Sequence, residues 1–177
     1  MVATRVALIL GFLILYLSIG ASWLYVGQDY YITSSLASMV ASYVGGSVPP
    51  PDPNTPYFST YVAEVISPLV VGNVELVATM FLYPASLLLG VLAFARWRLS
   101  LPAGVAAALS GASWIAGVPA VASQAGLRLG EWAGYGGAPT VVPVGDSLAP
   151  YITIIGGLAM FTIFLLTRVG KLDPPFG

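Results

Sequence analysis

The sequence predicts an all-α integral membrane protein: four transmembrane helices in a bundle, N and C termini cytoplasmic, and a short amphipathic helix in the first outer loop. Three observations predict it. Hydrophobic residues make up 58% of the 177 and charged residues 7%, with a mean hydropathy of +0.90, whereas a soluble domain is about a quarter charged. Four apolar stretches approach the roughly 20 residues that cross about 30 Å of hydrocarbon as a helix. Arg5, Arg96, Arg98, Arg168 and Lys171 all fall on one side of those stretches when the chain is threaded as two hairpins, and Asp29, Asp52, Glu64, Glu131 and Asp146 fall on the other with Arg128.

The expected helices run over about 6–26, 68–95, 102–124 and 150–167, in one membrane domain covering 1–177, with outer loops over 27–67 and 125–149. Pro68, Pro102 and Pro150 suit first helical turns, where a missing N–H costs nothing, and Ser67, Ser100 and Ser147 stand as candidate caps. Arg5 followed by an apolar core and the small residues Ser18, Gly20, Ala21 and Ser22 also fits a signal peptide. Trp23 and Tyr25 favour a retained helix with an interfacial aromatic anchor. The positive-inside rule then puts the basic side in the cytoplasm, in a multi-pass protein of the cell (plasma) membrane.

In the first outer loop, Ile32, Leu36, Met39, Val40 and Tyr43 recur at helical spacing, which predicts the amphipathic helix over 32–44. Gly45 and Gly46 end it, and the run PPPDPNTP that follows is a stiff connection. The outer segments starting at Ser42 and Gly134 share an aromatic, a Gly-Gly pair and prolines. Turn-rich composition explains that likeness more simply than an internal repeat.

The second stretch contains Asn73 and Glu75. At about 100° per residue, Gly72, Glu75, Thr79, Tyr83, Ser86 and Gly90 form one stripe about 80° wide, opposite Val70, Val74, Val77, Phe81, Leu88 and Leu92. Small and polar residues let helices approach closely in a bilayer, so Glu75, Thr79, Tyr83 and Ser86 are expected in helix packing, or as a proton relay, since intramembrane carboxylates often mark ion pathways. Glu75 lies 21 residues before Arg96, or about 31 Å along a helix, which sets it at the outer margin and favours packing. In the third stretch Ala108, Ala112, Ala116 and Ala120 make one row beside Ser113 and Gly117, the pattern of a helix against other helices or another subunit, with Trp114 filling the space beside the alanines and Pro119 loosening the outer end. Arg128 and Glu131, spaced i, i+3, predict an outer-loop ion pair.

Histidine and cysteine are absent, which removes the common ligands of haem, iron–sulfur clusters, zinc and copper, together with any thiol nucleophile or imidazole base. No calcium-loop, phosphate-loop or nucleophile-elbow pattern occurs. Neither cofactor nor metal is therefore expected, and no catalytic residue. With six Lys and Arg in all, nucleic acid is not an expected partner; the bilayer and other integral membrane subunits are. The functional expectation is a non-catalytic, structural or accessory subunit of a multi-subunit membrane complex, with an energy-transducing (respiratory) assembly as host and no enzyme activity of its own. The alternative is a small oligomeric transporter or ion or proton channel using Glu75.

Overall fold

A computed structural model describes residues 2–21, 23–26, 69, 71–133 and 143–174. The expected amphipathic helix over 32–44 and the related outer segments lie outside these residues. The described chain is mostly helical: α1 (Val2–Leu17), β1 (Leu24–Val26), α2 (Val74–Leu92), a 3-10 turn (Trp97–Leu99), α3 (Ser100–Ala133), β2 (Val144–Asp146) and α4 (Leu148–Arg168). Three runs, Val74–Leu92, Trp97–Leu127 and Leu148–Arg168, are long and apolar enough to cross a membrane, while α1 is a shorter apolar helix. The chain is a membrane protein by that measure.

Two boundaries differ from the expected ones, each for a physical reason. The first helix stops at Leu17 rather than near Val26. There the Ser18 hydroxyl and amide both bond to the Leu15 carbonyl, and Ile19 N bonds to Tyr16 O, so the last turn tightens into i→i−3 bonding. Leu24, Tyr25 and Val26 then pair antiparallel with Asp146, Gly145 and Val144, an option no local propensity reveals. The third helix runs on to Ala133, so the outer segment expected from 125 is helical for its first residues, and Arg128 and Glu131 lie on helix rather than loop. The run QAGLRLGEWA is dominated by helix formers, and its glycines do not break it. At 34 residues, α3 is about 51 Å long, some 20 Å more than a hydrocarbon core. The helices also continue through Pro119 in α3 and Pro84 in α2.

Caps follow sequence chemistry in part. Asn73 caps α2, its Oδ1 accepting from Leu76 N at 2.9 Å. Ser147 occupies the N-cap position of α4 without a side-chain cap bond, and Ser100 is the first residue of α3, its hydroxyl buried without a partner. Pro102 and Pro150 fall in first turns as expected.

α3 packs between α2 and α4, and α1 closes against α4 and more lightly against α2. The α3–α4 seam is set by backbone. A Cβ on Gly104 would stand 2.5 Å from the Gly157 carbonyl oxygen, and one on Gly111 would stand 2.5 Å from that of Pro150. The two contacts are seven residues apart on each helix, two turns of one antiparallel register. On the other side of α4, a Cβ on Gly156 would meet Leu15 N at 2.8 Å. The adjacent glycines of α4 thus admit α3 and α1 respectively. The expected outcome for Gly104→Ala is a loss of about 1–3 kcal/mol from overpacking, whereas Gly20→Ala, with nothing within 4 Å, leaves stability near that of the parent. Denaturant titration in detergent, followed by circular dichroism, measures both.

Candidate functional site

Among the described residues, a constellation of polar and aromatic side chains lies where the chain leaves α1. Trp23 is fully buried, its ring edge-on to Tyr83 of α2 at 4.9 Å and to Trp114 of α3 at 5.3 Å. The carbonyl of Trp23 accepts from Trp114 Nε1 at 2.8 Å and from Ser147 N, at the start of α4, at 3.2 Å. Tyr83 Oη and Ser18 Oγ are 2.7 Å apart. Trp23 is therefore a core residue and not the interfacial anchor the sequence suggests. Aromatic belts and buried aromatic clusters use the same residue types, and only the β1–β2 pairing that turns the chain inward separates them. Its own Nε1 is buried without a hydrogen-bond partner among the described residues.

One turn earlier on α2, Thr79 Oγ1 donates to the Ser110 carbonyl of α3 at 3.0 Å and also to the Glu75 carbonyl at 3.2 Å. Ser86 is buried and donates to the Tyr83 carbonyl at 2.6 Å. Of the predicted stripe, Thr79, Tyr83, Ser86 and Gly90 face the interior, whereas Gly72 and Glu75 are exposed. The helix begins only at Val74, so Gly72 precedes it, and Leu76 takes the inward position in the first turn. Glu75 makes no side-chain hydrogen bond among the described residues, and its carboxylate sits in the first turn of α2, where the helix dipole favours negative charge. Arg128 and Glu131 share one turn of α3 backbone at i, i+3 spacing.

At the start of α4, Tyr151 Oη donates to Asp146 Oδ2 in an exposed contact. Among the described residues no group of three or more His, Cys, Asp or Glu stands together. The aromatic constellation consists of neutral groups. It offers rigid packing and directed hydrogen bonds, with neither a nucleophile beside a base nor a charged ligand set. Neither Ser18 as a Tyr83 partner nor Asn73 as a cap is among the sequence-based expectations. Asn73 had a local signal, a cap residue before an apolar run; Ser18 had none, because its partner is 65 residues away.

Comparison with protein-family models, with curated proteins and with solved structures finds no match to this chain.

Trp23→Ala is expected to destabilise the fold by about 3–5 kcal/mol, and Trp114→Phe, which keeps a ring but removes the N–H donor, by about 1 kcal/mol. Thermal unfolding followed by near-ultraviolet circular dichroism separates the two.

Proposed function

We propose that this chain is a non-catalytic accessory subunit of a multi-subunit membrane assembly, with an energy-transducing, respiratory-type complex as the host class. In this reading it spans the cell (plasma) membrane four times, both termini are cytoplasmic, and its partners are other integral membrane subunits. The observation that carries the reading is the outward face of α3. Large apolar side chains are exposed on every helix: Val74, Phe81 and Leu88 on α2, Ile155 and Leu158 on α4, Ile9 and Leu10 on α1, and Val105, Leu109 and Leu127 on α3. Between Leu109 and Leu127, however, the exposed face of α3 carries Ala112, Ala116 and Ala120, one turn apart. Lipid tails gain nothing from a row of methyl groups, but a second helix can approach it closely and gain dispersion contacts along its length. The neutral chemistry of the buried constellation agrees with a role in assembly.

The transporter alternative asks Glu75, Thr79 and Tyr83 to line a path. Within one chain Thr79 and Tyr83 are turned inward on Ser110 and Ser18 while Glu75 is exposed, so the three do not share one surface.

Purification from native membranes in mild detergent is expected to bring other integral membrane proteins with the chain. Ala116→Phe should reduce that recovery at least about tenfold, a loss of ~1.4 kcal/mol, while leaving the chain's own melting temperature unchanged. Migration of the unmodified chain as a lone monomer would overturn the proposal. The four-span topology has its own test, because the sequence contains no cysteine. Single cysteines at Val2 and Leu172 should react with a membrane-impermeant maleimide from the cytoplasmic side, and one at Pro143 from the opposite side.

A further inference from the structure

We propose that the end of the bundle carrying Arg96, Arg98, Arg168 and Lys171 is a binding site for the headgroup of an anionic phospholipid. The inference rests on the membrane-spanning helices and not on the accessory-subunit reading.

Three segments distant in sequence are fixed onto one face there. The α2–α3 link is pinned to α4 by Trp97, whose ring lies 5.5 Å from that of Phe164, one turn before Arg168. Arg98 holds its guanidinium 6.0 Å from the centre of the Trp97 ring, so this cation follows the same anchor. Beyond Arg168 the chain does not trail away. Gly170 takes the left-handed conformation at φ 74°, Gly170 N bonds to Thr167 O, and Lys171 N bonds to Leu166 O at 2.9 Å. That is the Schellman closure that turns a chain back on its helix, and it sets Lys171 beside the last turn of α4. The Asp173 carbonyl then accepts from Thr4 Oγ1 of α1 at 2.6 Å, which ties the tail to the N-terminal helix.

Arg96, Arg98, Arg168 and Lys171 are all exposed and make no ion pair with another described residue. Arg5 and Asp173 at the same end are already engaged and are not counted. The occupant is a lipid and not a free anion because the cations border apolar surface: Val91 and Leu92 precede Arg96, and Leu165 and Val169 flank Arg168, all exposed. A headgroup phosphate on the guanidinium groups would leave its acyl chains along those residues. Basic clusters at helix ends attract anionic lipid in this way, each residue raising affinity by roughly fivefold.

The test uses the full chain, purified in mild detergent with an equimolar mixture of phosphatidylglycerol and phosphatidylcholine, and quantifies the lipid carried through gel filtration. The expected result is at least about fivefold enrichment of phosphatidylglycerol, most of it lost in Arg98→Gln/Arg168→Gln and retained in Arg128→Gln at the far end of α3. Raising salt from about 0.05 to about 0.5 M should reduce the enrichment in the unmodified chain, a readout independent of whether the double variant folds. Equal retention of the two lipids, an enrichment that Arg128→Gln lowers as much as the double variant does, or displacement of the lipid by millimolar inorganic phosphate would each overturn the proposal.

Discussion

Trp23 is the residue on which the arrangement of the helices depends. It follows α1, stacks edge-on against Tyr83 of α2 and Trp114 of α3, and through its carbonyl holds the Trp114 indole and the first backbone amide ahead of α4. One residue therefore ties the segment after α1 to α2, to α3 and to the N-cap of α4. The constraint behind it is general: backbone that leaves a helix near a bilayer must have its polar groups satisfied within the protein. The β1–β2 ribbon does this for Leu24–Val26 and Val144–Asp146, and the two bonds to the Trp23 carbonyl do it at the ribbon's start.

Away from that point the helices hold together by proximity. In lipid there is no hydrophobic gain from bringing two apolar helices together, so close backbone contact and interhelical hydrogen bonds carry association. The α3–α4 seam at Gly104–Gly157 and Gly111–Pro150 is of the first kind, and the Thr79–Ser110 and Tyr83–Ser18 bonds are of the second. Glycine-to-backbone contacts serve α4, which packs against both α1 and α3; α2 combines its hydroxyl bonds with glycine contacts to side chains, at Gly117 against Leu76 and at Gly90 against Phe12.

The surface that remains divides by chemistry. Large apolar side chains cover α1, α2 and α4, an alanine row runs along the middle of α3 between the exposed Leu109 and Leu127, and exposed cations gather at the end where α2, α3 and α4 meet. Under the proposed readings each surface meets a different neighbour: acyl chains, another helix, and anionic headgroups.

Composition and periodicity by themselves determined that this is a helical membrane protein, where its long apolar helices lie, and that Thr79, Tyr83, Ser86 and Gly90 share one face of α2. These properties are local: apolar length and a 3.6-residue repeat are written in consecutive residues. Helical angle alone groups Glu75 with that face, but it is exposed in the first turn of α2, where Leu76 is the buried residue. The tertiary structure decided where α1 ends, that α3 extends to Ala133, and that Trp23 is core. Ser18 needs Tyr83, β1 needs β2, and the Trp23 carbonyl needs Trp114 and Ser147. Each of those partners is tens of residues away or more, so no window along the chain contains both halves of the interaction.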